Sequence, residues 1–270
     1  MYKTINGTPY WYESYGEGEP IVLLHGFTGS ADTWDNLVHD LQNLYQLITL
    51  DLPGHRYMKQ GSVKTIEAFC HDLTGLLDQL GLSQVHLIGY SMGGRTALSF
   101  AILYPDRVAS LILESGSPGL AQETERAARR QQDDRLANYI EQEGLEAFVA
   151  YWESLPLFAS QKQLSEPVRD KIRAERLSHV PEGLSQSLRY MGTGVQPSWW
   201  EALPQLRRPV LLLSGEWDQK FVELNQKMAT KLPAVQHKIV YKAGHAIHVE
   251  QPVIFAKLAS DFLQSRPKSL

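Results

Sequence analysis

The chain has 270 residues, of which 43% are hydrophobic and 21% charged, an ordinary composition for a folded protein. Its formal net charge of −4 provides no basic field that would draw it to nucleic acid or anionic lipid. The single cysteine, Cys70, excludes an internal disulfide, and no apolar run approaches the roughly 18 residues of a membrane span. Because the first 13 residues also lack the apolar core of a signal peptide, we expect a cytoplasmic protein without nucleic-acid partners or membrane insertion.

Short runs rich in Val, Ile and Leu recur along the chain without clean polar alternation, as in strands that are buried on both faces of a parallel sheet. Asn6 and Gly7 predict a hairpin turn between the first two strands. The predicted strands are residues 2–5, 10–13, 21–24, 47–51, 85–90, 109–114, 210–214 and 237–240. Helical periodicity predicts core helices over residues 65–80, 94–104, 222–232 and 253–264. This alternation predicts an α/β fold with helices on both faces of a central sheet.

One gap between consecutive predicted strands is too long for a simple crossover. More than 90 residues separate Glu114 from Pro209, where a crossover needs roughly 30. Amphipathic patterns within it predict helices over residues 123–142, 145–152 and 166–177. We therefore predict a core formed by residues 1–118 and 207–270, with residues 119–206 inserted as a helical cap.

The strongest chemical signal is the run from Gly89 to Gly94, which fits the pattern Gly-x-Ser-x-Gly around Ser91. A predicted strand precedes it and a predicted helix follows it. A serine on such a sharp strand-to-helix turn adopts a strained backbone conformation, so its neighbours must be small. The pattern predicts that Ser91 is the catalytic serine of an α/β-hydrolase fold.

In this fold the acid and the histidine follow the serine in chain order. Asp218 comes just after the predicted strand 210–214, and His245 comes just after the strand 237–240. Both therefore lie where ligand crevices of open α/β sheets form. Taken singly, Asp218 also suits a turn or helix cap and His245 an ordinary loop histidine. Glu216 is a second candidate for the acid.

Two backbone N–H groups are needed to hold a developing oxyanion. One is expected from Met92, which follows the serine, and the other from Phe27, in the loop after the third strand. We interpret His25 in the same loop as structural. The spacing of His245 and His248 resembles a pair of metal ligands, but no carboxylate or cysteine cluster accompanies it, so we expect no metal and no cofactor.

The predicted cap region is biased towards arginine. Residues 119–208 contain 10 of the 14 arginines, 2 of the 12 lysines and 13 acidic residues. Guanidinium groups bind carboxylates in a planar bidentate way that lysine does not match. Arg126, Arg129 and Arg130 share a helix face, which fits anion binding and, equally well, a solvated helix with Glu125–Arg129 and Arg130–Asp134 pairs.

Four segments together resemble one enzyme family: residues 25–30 with Trp34, residues 89–95, residues 117–120 (Ser-Pro-Gly-Leu), and Gly244 with His245. From about residue 21 to residue 262 the chain is similar to the 2-succinyl-6-hydroxy-2,4-cyclohexadiene-1-carboxylate synthases of menaquinone and phylloquinone biosynthesis. The catalytic motifs are generic to the fold, whereas Ser-Pro-Gly-Leu followed by an arginine-rich helix is more specific.

The resemblance implies a lyase that eliminates pyruvate from a small-molecule tricarboxylate. Ser91, deprotonated through His245, would then act as a general base without forming an acyl-enzyme. By the same resemblance, the substrate-binding residues are Tyr90, Arg95, Arg129, Trp152 and Arg176.

The sequence departs from the common Gly-His-Gly of this fold at Gly54-His55-Arg56, and an arginine there would alter the mouth of the pocket without touching the triad. A carboxylesterase that uses Ser91 as a nucleophile is the alternative function, since both chemistries use the same triad. A ligand-binding receptor with the same fold is the third candidate function. Slow or absent turnover of substrate would indicate it.

Overall fold

The computed structural model describes residues 1–58 and 64–265, and all of its strands belong to one sheet. The strands are β1 (Tyr2–Ile5), β2 (Thr8–Tyr15), β3 (Glu19–Leu24), β4 (Tyr45–Leu50), β5 (Val85–Tyr90), β6 (Val108–Glu114), β7 (Val210–Gly215) and β8 (Val235–Val240). They are ordered β1-β2-β4-β3-β5-β6-β7-β8. The β1–β2 and β2–β4 pairs are antiparallel and every later pair is parallel, so β3 and β5 to β8 direct their carboxyl ends to one edge.

Helices cover both faces of this sheet. They are α1 (Asp35–Leu41), α2 (Ile66–Gln79), α3 (Met92–Leu103), α4 (Glu123–Ser154), α5 (Glu166–Leu177), α6 (Pro181–Met191), α7 (Gln219–Ala229), α8 (Ile247–Glu250) and α9 (Pro252–Gln264). One core layer contains Phe69 and Phe100, from α2 and α3. The other contains Trp34 and Phe255, next to α1 and on α9. The predicted α/β-hydrolase fold is confirmed. No helix of the described residues is both long and apolar enough to cross a membrane.

Three helices, α1, α6 and the four-residue α8, were not predicted from the sequence. The α1 helix has seven residues, too few for a helical period to stand out. The α6 helix starts with Pro181 and has Gly183 in its first turn, where the sequence suggests a loop. That glycine allows a close approach to the core, because a Cβ on Gly183 would lie 2.3 Å from the carbonyl oxygen of Gly54.

Between β6 and β7, the chain forms helices α4, α5 and α6, which we call the cap. The predicted helices 123–142 and 145–152 are two arms of α4, separated by a kink at Gly144 with φ of 80°. The predicted helix 166–177 matches α5. A small core between α4 and α6 contains Ile140, Phe148 and Leu184, and Phe27 of the sheet edge packs against it. The cap therefore lies directly over the carboxyl edge of the sheet.

Candidate active site

Three side chains from separate strand ends form a hydrogen-bonded series. Ser91 follows β5, Asp218 follows β7 and His245 follows β8. The Nε2 atom of His245 lies 3.0 Å from the Oγ of Ser91, and its Nδ1 lies 2.6 Å from Oδ2 of Asp218. With Nδ1–H donating to the carboxylate, Nε2 is free to accept the serine proton. His245 and Asp218 are only 3% and 8% exposed, so this polar series is largely withdrawn from water.

The turn at Ser91 is strained in the way the sequence predicts. Ser91 has φ of 50° and ψ of −104°, and its backbone N–H donates to the carbonyl of Glu114 at 2.8 Å. The turn closes against β3, because a Cβ on Gly93 would lie 2.0 Å from the carbonyl oxygen of Leu24. This contact holds the serine at the amino end of α3, where the helix dipole favours negative charge.

The loop that carries His245 is held on both sides. The carboxylate of Glu250 accepts the backbone N–H groups of Gly244 and Ala246 at 2.7 and 3.3 Å. The hydroxyl of Ser115 donates to the carbonyl of His245 at 2.9 Å. The imidazole is therefore fixed by its own backbone as well as by the Asp218 carboxylate.

Asp218 has two hydrogen-bond partners. Both roles that the sequence suggested for it, the acid beside the histidine and a helix cap, correspond to contacts in the structure. While Oδ2 faces His245, Oδ1 accepts the N–H of Phe221 at 3.4 Å and caps helix α7. Glu216, the other candidate acid, accepts the backbone N–H of Lys242 at 3.1 Å. Among the described residues, the carboxylate that hydrogen-bonds His245 is that of Asp218.

Phe27 and Met92 line the cavity above Ser91. Neither backbone N–H donates to an acceptor within the part of the chain that the structure describes, so both remain available to a ligand. His25, just before this loop, donates from Nδ1 to the carbonyl of Gly26 at 2.7 Å and accepts the N–H of Leu52 at Nε2 at 2.8 Å. Burial lowers the pKa of His25 to about 3, which agrees with a structural role.

A cavity of about 250 Å³ lies between the sheet edge and the cap. Eight of the residues predicted for the site line it, namely Phe27, Tyr90, Ser91, Met92, Arg95, Arg129, Trp152 and His245. The Nε1–H of Trp152 is buried without an acceptor among the described residues. A buried donor without a partner is costly in a native fold.

Arg95 carries a positive charge into this cavity without a carboxylate partner among the described residues. Its guanidinium is 9% exposed and donates to the carbonyl of Met191 at 2.9 Å and the amide oxygen of Gln196 at 3.2 Å. Burial first, and then the charge of Arg129, lower the pKa of Arg95 to about 10. The group remains charged at neutral pH.

Arg129 also lines the cavity, and its side chain is 36% exposed. Its Nε donates to Oδ1 of Asp133 at 2.8 Å, one helical turn further along α4. The predicted pairing of Arg129 with Glu125 is therefore wrong. So is that of Arg130 with Asp134, since Arg130 pairs with Glu123 at 2.6 Å.

Arg176 is not among the residues that line the Ser91 cavity. Its guanidinium contacts Glu153 at 3.2 Å and Gln161 at 3.1 Å, and it faces neighbouring cavities. The ring of Phe158 lies 4.9 Å from its guanidinium carbon, and Phe158 lines the Ser91 cavity as well. The same ring therefore contacts Arg176 and borders the Ser91 cavity.

The lining residues that were not predicted from the sequence include Phe158 and Lys220. Lys220 is exposed, and no acidic side chain among the described residues pairs with it. Its position two residues after Asp218 was a signal that could have identified it. Phe158 lies in a short 3-10 segment, Pro156–Gln163, that carries no motif.

A second histidine–carboxylate pair lies beneath the first. Glu114 is fully buried, and its carboxylate accepts from Nδ1 of His248 at 2.8 Å. The ring of Tyr90 lies between the two histidines, 4.6 Å from His248 and 5.4 Å from His245. The spacing of His245 and His248 thus reflects two separate carboxylate partners.

Arg56 does not reach the Ser91 cavity, in contrast to the expectation that it would alter the pocket mouth. Its guanidinium forms an ion pair with Asp32 and donates to the hydroxyl of Ser30 at 3.3 Å. The backbone at Arg56 has φ of 39°, in the left-handed region where glycine is usual. The side chain is directed to the loop after β3.

A Ser–His–Asp series at the carboxyl edge of this sheet, under a helical insertion, defines a protein of the α/β-hydrolase class. The family model described as the alpha/beta hydrolase fold matches residues 19–252. The chain is 48% identical over 256 residues to a Bacillus subtilis (strain 168) protein provisionally named 2-succinyl-6-hydroxy-2,4-cyclohexadiene-1-carboxylate synthase, covering 94% of this chain and 93% of that one.

Two solved structures are also closely similar. MenH from S. aureus superposes with a TM-score of 0.88 at 37% identity, covering 94% of this chain and 98% of the other. A thermophilic esterase from Thermogutta terrifontis, solved with malate bound, has a TM-score of 0.87 at 30% identity, covering 98% of both chains. The chain belongs to the family of 2-succinyl-6-hydroxy-2,4-cyclohexadiene-1-carboxylate synthases.

Proposed function

We propose that this protein is the lyase that eliminates pyruvate from 2-succinyl-5-enolpyruvyl-6-hydroxy-3-cyclohexene-1-carboxylate in menaquinone or phylloquinone biosynthesis. The substrate carries three carboxylates, on the ring, the succinyl arm and the enolpyruvyl ether. The single observation that carries the proposal is the buried Arg95 guanidinium, which faces the Ser91 cavity with only neutral partners among the described residues. The nearby carboxylate of Asp133 is already paired with Arg129, so Arg95 has no ion-pair partner of its own among the described residues, and a carboxylate ligand would offset the cost of burying its charge.

In the proposed reaction, Ser91 is a base. His245 draws the proton from the Ser91 hydroxyl, and the resulting alkoxide removes the ring proton next to the succinyl ketone. The electron pair moves through the ring double bond and breaks the carbon–oxygen bond to the enolpyruvyl group. That group leaves as the enolate of pyruvate and takes up a proton. The ring keeps its succinyl arm, and no bond forms between Ser91 and the substrate.

Negative charge would develop on the ketone oxygen when the ring proton is removed. The free N–H groups of Phe27 and Met92, on the wall beside Ser91, would hold that oxygen. Arg95 and Arg129 would hold carboxylates in the cavity, with Tyr90 and Trp152 packing against the ring. Arg176, which lines neighbouring cavities and contacts the ring of Phe158, would join them if that ring moves.

A carboxylesterase is the second candidate, because the Thermogutta esterase has nearly the same fold and a Ser–His–Asp series also suits ester hydrolysis. The malate bound to that esterase is a dicarboxylate, so an anionic ligand alone does not separate the two functions. The two functions differ in whether Ser91 attacks a carbonyl carbon of the substrate. In the hydrolase, Ser91 would form an acyl-enzyme.

The experiment supplies the enolpyruvyl substrate and follows pyruvate with a coupled lactate dehydrogenase assay. We expect one pyruvate for each substrate consumed, and at least a thousandfold slower release by Ser91→Ala, in line with losses seen when a triad serine is removed. Absence of pyruvate, with a correctly folded wild-type protein, would rule the proposal out.

A further inference from the structure

The loop of residues 26–30, which we call the oxyanion loop, contains Phe27, which lines the Ser91 cavity and whose N–H has no acceptor among the described residues. Its next residue, Thr28, has φ of 69°, although threonine is β-branched and rarely adopts the left-handed region. A strained residue of this kind persists only where its surroundings hold it. The position of the Phe27 N–H therefore depends on what holds Thr28.

Two buried histidines hold Thr28 from opposite sides. Its backbone N–H donates to Nε2 of His55 at 3.3 Å, and its carbonyl accepts from Nε2 of His179 at 3.0 Å. His55 belongs to the core, whereas His179 belongs to the cap, between helices α5 and α6. The two peptide groups that flank Thr28 are thus held between core and cap, and the first of them contains the carbonyl of Phe27, whose N–H belongs to the adjoining peptide group.

Each histidine can make these contacts only as a neutral ring in one tautomer. The Nδ1 atom of His179 accepts the backbone N–H of Arg56 at 2.9 Å, so its Nε2 carries the proton that is donated to Thr28. In His55, Nδ1 donates to the carbonyl of Pro53 at 3.2 Å, which leaves Nε2 as an acceptor. Burial lowers the pKa of His179 to about 4 and keeps the ring neutral.

Glu175 adds a second connection from the cap to the same stretch of the core. Its carboxylate accepts the hydroxyls of Ser30 at 2.6 Å and Thr33 at 2.8 Å. Glu175 and His179 lie at the carboxyl end of α5 on either side of Arg176, the arginine assigned to substrate binding. The end of α5 therefore joins Arg176, which only the family resemblance assigns to substrate binding, to the oxyanion loop.

We propose that His179, assisted by Glu175, is a positioning residue that sets the Phe27 N–H for the oxyanion and makes its placement depend on how the cap is seated. Neither side chain lines the Ser91 cavity, so both act through the loop. This inference rests on the proposed function for the identity of the oxyanion, but the placement of the loop can be measured without substrate.

A pair of amide variants separates the two hydrogen bonds of His179. A glutamine amide reaches about as far as Nε2, and an asparagine amide about as far as Nδ1. His179→Gln can therefore keep the bond to the Thr28 carbonyl, while His179→Asn keeps only the bond from Arg56. We expect kcat to fall tenfold or more in His179→Asn and much less in His179→Gln, with KM changed by less than about threefold in both.

A matched control removes another contact between α5 and the core. Lys171 forms an ion pair with Asp35 at 2.8 Å. Both side chains are exposed, and neither forms a hydrogen bond with the oxyanion loop. Lys171→Ala should keep the wild-type kcat. If His179→Asn kept the wild-type kcat while folding normally, or if both amide variants lost activity equally, the positioning role would be overturned.

The second measurement uses the unliganded protein. Amide ¹H–¹⁵N NMR signals of Phe27 and Thr28 should shift, and Thr28 should exchange its amide proton faster, in His179→Asn but not in Lys171→Ala. Unchanged signals would overturn the inference even if activity fell. Shifted signals together with a wild-type protein that releases no pyruvate would overturn the proposed function and leave the clamp standing.

Discussion

The guanidinium groups of Arg95 and Arg129 face the same cavity, and the charge of Arg129 lowers the pKa of Arg95 in addition to burial. Asp133 offsets part of this repulsion through its ion pair with Arg129. Two like charges beside Ser91 destabilise the empty protein and favour a ligand that carries carboxylates. The cavity is thus adapted to anions before any substrate enters.

Arg129→Ala should weaken binding of the tricarboxylate by about 1.5–3 kcal/mol, the usual cost of losing a charged hydrogen bond. Arg129→Lys should restore only part of this, because a point charge does not replace a bidentate fork. Two measurements check this: KM of each Arg129 variant, and the Kd of the tricarboxylate for the same variants made in the inactive Ser91→Ala protein. Arg130→Ala, which removes an arginine paired with Glu123 outside the cavity lining, is the control. Wild-type values for both Arg129 variants would assign Arg129 to a solvated helix face.

Ser91 and His245 should act as one unit. Ser91→Ala and His245→Ala should each reduce kcat by several powers of ten, and the double variant should be little worse than either, because each removes the same proton transfer. The check is a double-mutant cycle on pyruvate release. Additive losses would mean that the two side chains contribute to separate steps.

Lys220 should strengthen binding from the rim of the cavity. Its ammonium is exposed and lacks an acidic partner among the described residues, so we expect Lys220→Ala to raise KM by about two- to fivefold, in the range of exposed charge pairs. The effect should shrink at high salt. Lys227, an exposed lysine of the same helix outside the cavity lining, is the matched control. An unchanged KM at low salt would exclude the contact.

The free energy of unfolding should decrease as the pH is lowered, and His179 should contribute to that decrease. Burial lowers its pKa from 6.5 to about 4, so the unfolded chain binds a proton that the folded chain refuses. The stability from the neutral ring is therefore present above pH 6.5 and is lost as the pH falls towards 4. One such proton corresponds to about 1.4 kcal/mol per pH unit.

We expect His179→Gln to reduce the slope of unfolding free energy against pH, measured by urea denaturation between pH 6.5 and 4.5. Replacing His71, an exposed histidine of α2, by glutamine provides the comparison. A slope equal to that of the wild type in His179→Gln would show that His179 is not kept neutral by the fold.

The parts of the site that sequence could predict are those tied to strand ends. Ser91, Asp218 and His245 each follow a run of buried apolar residues, and parallel strands bring their carboxyl ends to one edge whatever the details of packing. The family resemblance, which relatives at high identity confirm, added the cap residues Arg129 and Trp152.

The remaining features depend on contacts between segments far apart in the sequence. His179 and Thr28 are 151 positions apart, and nothing local to either residue indicates their hydrogen bond. Similarly, the ring of Phe158 is placed by the cap against Arg176, and the sequence alone suggested that Arg176 reaches the cavity directly. Short elements such as α1 carry too few residues to show a period.

The most direct test of the account is the intact mass of the protein during turnover. We predict that, while the enolpyruvyl substrate is being consumed and pyruvate accumulates, the protein keeps its unmodified mass, because Ser91 acts only as a base. With p-nitrophenyl acetate we predict slow hydrolysis and no acyl adduct, since a neutral ester leaves the cavity arginines unpaired. An acyl group on Ser91, with rapid ester turnover and no pyruvate, would contradict the account and identify a hydrolase.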